Sequence, residues 1–153
     1  MNTINPSKEK MAEFLKGRDN KRPIAVLNLL KLKESVEIEN GKIISGTEAY
    51  KRYSLRATKL VWQCGGQILW MGKVNFSLIA PPEEKWDQVI LIYYPSRAHF
   101  LQMINSPIYS ELAPHRAAAL ETSRLLEIRQ VKFSKLLLNV LAFFHRIKTR
   151  FSL

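Results

Sequence analysis

The chain has 153 residues, 46% of them hydrophobic and 24% charged, with seven prolines and six glycines, a balance that suits one globular domain better than two domains or a disordered chain. Twenty-four Lys and Arg against thirteen Asp and Glu leave a formal charge of +11, which favours acidic partners such as phosphate, nucleic acid or anionic lipid. One cysteine, Cys64, excludes an internal disulfide framework and a Cys-rich zinc site, so a reducing cytoplasm is the expected compartment.

Met1 to Pro6 lack the basic start and apolar run of a secretory leader, so no export is expected. Asn5 followed by Pro6 reads as an N-cap and first helical position, with Met11, Phe14 and Leu15 on one side of a short docking helix that ends near Gly17. After Arg22-Pro23, the run from Ile24 to Leu32 has the length and density of a strand buried on both faces. Lys33 to Gly46 is polar, with a turn at Asn40-Gly41, and predicts a loop or small hairpin. From Thr47, placed as N-cap, to Cys64, the residues Ala49, Tyr50, Tyr53, Ala57, Leu60 and Val61 recur at helical spacing, and Gly65-Gly66 stops the helix.

Gln67 to Ala80 returns to strand chemistry, with Gly72 placed as a bulge, and Pro81-Pro82-Glu83-Glu84 makes the turn. Trp86 to Tyr94 is a further strand. Pro95-Ser96 breaks it before a short helix holding Ala98, Phe100, Leu101, Met103 and Ile104. After Ser106-Pro107 a second short helix holds Tyr109, Leu112 and Ala117 to Leu120, and Ser123 to Val131 reads as the last strand.

The order β-α-β-β-α-β is that of a ferredoxin-like α+β fold, a four-stranded antiparallel sheet with both helices on one face. Ile24, Val26, Asn28, Leu30 and Leu32 share one face of the first strand and Ala25, Leu27, Leu29 and Lys31 the other. Both faces are largely apolar, and one subunit covers only one of them. A homodimer is therefore expected.

Residues 132–153 are read as a separate amphipathic helix, after a docking segment at 1–22 and the main domain at 23–131. Phe133, Leu137, Val140, Phe144, Ile147 and Phe151 form its apolar stripe, and five Lys and Arg with no acid make it basic. Three readings stand for it: a helix docked on its own domain or its mate, a reversible attachment to an anionic membrane surface, which would make the cytoplasmic protein membrane-peripheral, or a contact with nucleic acid. Its longest apolar run, Leu136 to Phe144, is far short of the about 20 residues needed to span hydrocarbon.

Several segments, in order, resemble one family: Ala25-Val26-Leu27-Asn28-Leu29-Leu30-Lys31, Gly65-Gly66, Trp86-Asp87-Gln88-Val89, Tyr94-Pro95-Ser96-Arg97, Ser106-Pro107-Ile108-Tyr109 and the run from His115 to Leu125. Together they are similar to domain-of-unknown-function family 1330, over roughly residues 4 to 130. The resemblance implies the dimeric α+β barrel superfamily, in which two ferredoxin-like subunits set their sheets face to face. That superfamily holds haem-degrading and quinol-forming monooxygenases, dehydratases and isomerases, while this family has no settled reaction. The residues from 132 onward lie outside the resemblance.

Six residues are candidates for ligand binding and two for catalysis. Asn28 is polar inside the apolar run that starts at Ile24, and a buried amide without partners costs roughly 1–3 kcal/mol, so it bonds neighbouring backbone, water or a ligand. Tyr50 and Tyr53 share a helix face and present phenols towards a space between helix and sheet, or pack as core with a hydroxyl at the rim. Trp70 would wall the same space or simply pack. His115 and Arg116 follow Pro114 and are placed in the first turn of a helix, where backbone N–H groups help to hold an anion. His115 is the candidate general acid or base and Arg116 its partner for a carboxylate, with an ion pair to Glu111 or Glu121 as the structural alternative. Ser123 and Arg124 open the last strand.

No phosphate-binding glycine loop occurs, and His99, His115 and His145 have no metal-ligand spacing, so no cofactor or metal is expected. The leading expectation is a small-molecule pocket in a homodimer, with proton transfer or oxygen insertion on a hydrophobic carbonyl or carboxylate ligand. An RNA-binding module of the same strand order is the alternative. It is disfavoured because Val89-Ile90-Leu91-Ile92-Tyr93-Tyr94 is apolar on both faces, where such a module carries basic and aromatic residues.

Overall fold

The computed structural model describes residues 3–16, 21–38, 41–129 and 140. Apart from Val140, the basic segment 132–153 lies outside the described residues, as does Asn40 of the expected turn.

Helix α1 spans Lys8–Leu15, and its N-cap is Ser7, whose hydroxyl accepts from the Lys10 N–H, rather than Asn5. Strand β1 is Ile24–Leu32, where the apolar run places it. The polar stretch that follows forms a small hairpin of two-residue strands, β2 Val36–Glu37 against β3 Ile43–Ile44. Helix α2 spans Gly46–Gln63, and here too a serine, Ser45, takes the cap expected of Thr47, accepting from the Glu48 N–H at 3.1 Å. At its other end Gly65 adopts φ +73°, and the Gly65 and Gly66 N–H groups bond back to Trp62 and Val61. That closure satisfies the last carbonyls of the helix and turns the chain directly into β4.

Strand β4 is Gln67–Lys73, shorter than expected because the chain leaves the sheet after a last bond from the Val74 N–H to the Asp87 carbonyl, and β5 is Gln88–Tyr94. Helix α3 runs Arg97–Ile104, and α4 runs Pro107–Ala119 with Ser106 as cap and Pro107 at its start. Pro114 lies inside α4 rather than ahead of a new helix. Strand β6 is Leu120–Ile128, three residues earlier at both ends than its expected bounds.

The sheet order is β4-β5-β1-β6, with every neighbouring pair antiparallel, the α+β architecture expected from the strand order. The helices bury one face, where Ile24, Val26, Leu60, Val61, Tyr94, Phe100 and Met103 form one cluster and Leu30, Tyr50, Tyr53, Ile90, Leu112 and Leu120 a second. Each fully buried aliphatic side chain here contributes about 1.5–3 kcal/mol.

Register fixes what the other face carries. Ala25, Leu27 and Leu29 pair with Tyr93, Leu91 and Val89 on one side and with Ile128, Leu126 and Arg124 on the other. These residues face away from the helices, and Trp70, Leu126 and Ile128 are 57%, 48% and 38% exposed.

Candidate functional site

Between the helix layer and the sheet lies a cavity of about 420 Å3. Its walls are largely apolar, with Val26, Ile90 and Ile92 from the sheet, Ala57 and Val61 from α2, and Phe100, Met103 and Ile104 from α3. Asn28, Tyr50, Tyr53, Tyr109 and Arg116 bring polar groups into this lining. Asn28, Tyr50, Tyr53 and Arg116 are each 8% exposed or less.

Among the described residues Arg116 alone of these side chains makes hydrogen bonds to the protein, and they fix its guanidinium at the edge of the cavity. It donates from Nη1 to the Ile4 carbonyl at 3.0 Å and from Nη2 to Ser123 Oγ at 3.2 Å. Ser123 in turn donates its hydroxyl to the Ile4 carbonyl at 3.3 Å, and its backbone N–H to the Thr3 carbonyl at 2.6 Å. The N-terminal residues thus lie along β6 and brace the arginine from behind. These bonds use two of its five N–H donors, and the residue is also part of the cavity lining.

The phenols have a different character. The Tyr50 and Tyr53 rings lie 5.3 Å apart between centroids, tilted by 54°, and burial pushes the Tyr50 hydroxyl pKa up to about 12 against a smaller opposing pull from the Arg116 charge. Burial raises that of Tyr53 as well, with Tyr109 and Tyr50 acting in the same direction. Both therefore stay protonated at neutral pH and act as neutral donors. No carboxylate or imidazole is among the lining residues. The set is donor-rich and carries the buried Arg116 charge, with Lys59 at the exposed margin, which suits an oxyanion on an otherwise apolar molecule.

The structure brings together four of the residues singled out from the sequence, Asn28, Tyr50, Tyr53 and Arg116, and separates the others. Ser123 is buried behind Arg116 rather than lining the cavity. Arg124 faces the open side of the sheet, with its guanidinium 5.3 Å from the Trp86 ring centroid and a hydrogen bond to Thr3 Oγ1 at 2.8 Å. His115 is exposed in the last turn of α4. The first-turn placement of His115 and Arg116 is corrected because Pro114 is accommodated within the helix, so the pair sits at the carbonyl end and not at the N–H end. Glu111 pairs with Arg56 at 3.7 Å instead of with either.

Trp70 lies on the other side of the sheet for a local reason. The β4–β5 register shifts between Ile68 and Trp70, so Leu69 is the extra residue and Gly72 is not the bulge. One inserted residue inverts the alternation beyond it. Trp70 then pairs with Leu91 on the open face, and Met71, opposite Ile90, enters the cavity wall. Gly72 serves Trp70 instead, since a Cβ there would meet the indole at 2.5 Å. Met71, Tyr109 and Met103 were not singled out from the sequence as site residues; helical spacing marked Tyr109 and Met103 only as apolar-face positions.

Among the described residues no group of His, Cys, Asp and Glu is placed to hold a metal ion, and no helix is long and apolar enough to cross a membrane.

The sheet order and the helix-covered face define a ferredoxin-like α+β domain with an open-mouthed cavity between helices and sheet. The domain of unknown function DUF1330 matches residues 41–128, and the chain belongs to that family. The solved structure of RPA0582 from Rhodopseudomonas palustris, a protein of unknown function, is 36% identical, with a TM-score of 0.78 over 87% of this chain and 100% of that one. The methylated form of RPA0582 aligns at 38% identity and a TM-score of 0.79, over 88% of this chain and 100% of that one. Two more distant structures share the fold. Hydroxynitrile lyase from Passiflora edulis is 13% identical with a TM-score of 0.53, over 74% of this chain and 99% of that one. SnoaB from Streptomyces nogalater, a cofactor-independent oxygenase, is 10% identical with a TM-score of 0.50, over 74% of this chain and 98% of that one. No curated protein matches the chain.

Proposed function

We propose that this protein is a homodimer whose subunits each take a small apolar carboxylate or enolisable carbonyl compound into the cavity between helices and sheet. The observation that carries the reading is the lining itself: an amide, phenols and a guanidinium, the amide and phenols without a protein hydrogen-bond partner among the described residues, converge within apolar walls. An apolar body would fill the space against Ile90, Ile92, Phe100 and Met103. Its oxygen would accept from Arg116 together with Asn28, Tyr50 or Tyr53.

No carboxylate or imidazole lines the cavity, so a carbonyl compound would give its adjacent proton to water while the same donors stabilise the enolate-like anion left behind; the reaction class this site supports is proton transfer, or oxygen insertion with molecular oxygen as the oxidant. The occurrence of a lyase and a cofactor-independent oxygenase on the same fold supports that class by analogy alone. Pairing of subunits is supported by the open sheet face, where Ala25, Leu27, Leu29, Leu91 and Trp70 form an apolar surface of the kind that soluble monomers cover.

Calorimetric titration with octanoate and salicylate, each against its uncharged amide, tests the site. The acids bind and the amides do not. Arg116→Gln removes the difference, and Asn28→Leu and Tyr53→Phe each weaken the acids by about tenfold, the value of one hydrogen bond to a charged group. Equal binding of acid and amide by the wild-type protein would overturn the assignment.

A further inference from the structure

The cavity is not sealed. Leu55, Lys59 and Trp62 of α2 line it and yet are exposed, Leu55 at 63% and Trp62 at 61%, and Met71 of β4 is 55% exposed. The mouth therefore opens between α2 and the edge strand of the sheet.

Around this mouth the outer surface of α2 carries Lys51, Arg52, Arg56 and Lys59, all exposed. Arg52 pairs with Glu48 at 3.0 Å and Arg56 with Glu111 at 3.7 Å, while Lys51 and Lys59 have no acidic partner among the described residues. Lys51, Leu55, Lys59 and Trp62 follow one another at helical spacing, so apolar and cationic groups alternate along a single stripe. A merely solvated helix face has no use for a half-bare tryptophan and leucine between lysines. An interfacial helix does, because its aromatic and aliphatic groups enter the acyl boundary while its lysines meet anionic headgroups. A second copy of the chain fits the same stripe poorly, since a two-fold contact would set Lys51 and Lys59 against their own equivalents. The stripe also lies on the helix side of the sheet, away from the open apolar face, so subunit pairing through that face leaves it free.

We propose that the outer face of α2 docks on an anionic lipid surface and brings the cavity mouth to the headgroup layer, so that the cavity is loaded with an apolar acid held in the bilayer. The loading step rests on the cavity reading above, whereas the docking step stands without it.

Co-sedimentation of the full chain with vesicles of phosphatidylcholine and phosphatidylglycerol, against phosphatidylcholine alone, tests the docking. The wild-type protein sediments with the anionic vesicles, and added salt releases it. Leu55→Ser combined with Trp62→Ser lowers the partition by at least about tenfold, as expected from the apolar area withdrawn. Lys51→Glu combined with Arg56→Glu, neither of which lines the cavity, lowers it comparably and leaves octanoate titration without vesicles unchanged. Three results overturn the docking: no sedimentation of the wild-type protein, sedimentation that both double variants retain, or a fall in particle mass of the Leu55→Ser, Trp62→Ser variant without vesicles, which assigns the face to a second copy. Octanoate binding in solution is read separately, so failure of the docking and failure of the cavity assignment are told apart.

Discussion

The sheet presents two apolar faces with different fates. On the helix side Ile24, Val26 and Leu30 are at most 2% exposed, and the polar groups among them, Asn28 and Arg116, are themselves buried. On the other side Leu27 and Leu29 are half-buried, Trp70 and Leu126 are about half exposed, and the polar residue in the row, Arg124, sits at the margin over Trp86. Hydrophobicity alone does not distinguish the two. What does is where donors are enclosed: Asn28, Tyr50 and Tyr53 are buried on the helix side without a protein hydrogen-bond partner among the described residues, which supports the ligand proposed for that side, while an evenly greasy surface with its charge at the rim supports the subunit contact proposed for the other.

The largest effect is expected from breaking the covered side. Arg97 is 8% exposed, and its guanidinium donates to both oxygens of Glu127 at 2.8 Å and to the Phe14 carbonyl at 3.2 Å while lying 4.6 Å over the Phe14 ring. Arg97→Ala leaves the Glu127 carboxylate with only the longer contact to Arg129 at 3.6 Å and loosens α1, and should cost about 3 kcal/mol in urea unfolding. A loss below about 1 kcal/mol would show that the clamp is solvated.

The open side is broken differently. Leu27 lies between Leu91 and Leu126 in the middle of that face, so Leu27→Glu should weaken self-association by at least about a hundredfold while changing the unfolding of the separated subunit little. Sedimentation velocity across a dilution series reads both. An unchanged particle mass would mean the face is not the subunit contact.

Alkaline titration sharpens the contrast. Tyr50 and Tyr53 ionise above the ordinary pKa of 10.0 because they are buried, so the unfolded chain loses these protons first. Stability from them is complete below pH 10, falls as pH rises above it, and for Tyr50 is gone beyond about pH 12. Tyr53→Phe should make the decline between those values shallower. A decline of the same steepness would place the responsible groups elsewhere. The smallest effect is expected at the start of α2, where Ser45→Ala removes the cap and should cost about 1 kcal/mol in thermal unfolding, with ligand binding retained.

Much of the architecture could be read locally. The unbroken run at Ile24 to Leu32, the Gly65-Gly66 stop and the Ser106-Pro107 start all lie where the structure has them, because each depends on neighbours within a turn or a strand. The caps of α1 and α2 are serines two residues away from the Asn5 and Thr47 expected, a choice among nearby hydroxyl and amide side chains that sequence leaves nearly degenerate. Tyr50 and Tyr53 were legible as a pair on one helix face. Trp70 was not, since an inserted Leu69 has no signature in composition and reverses the side on which every later residue of the strand falls. His115 and Arg116 were misplaced because a proline inside a helix looks the same in sequence as a proline that begins one.

The sequence by itself determined the order of elements, the greasiness of both sheet faces and the excess of positive charge, all of which follow from side-chain type and short-range periodicity. Only the tertiary structure decided that Arg116 turns inward onto a brace made by the Ile4 carbonyl and Ser123, and that Met71 replaces Trp70 in the cavity wall. The reason is physical. Those outcomes depend on contacts between residues more than a hundred positions apart and on the register of one strand against another, which no local preference encodes.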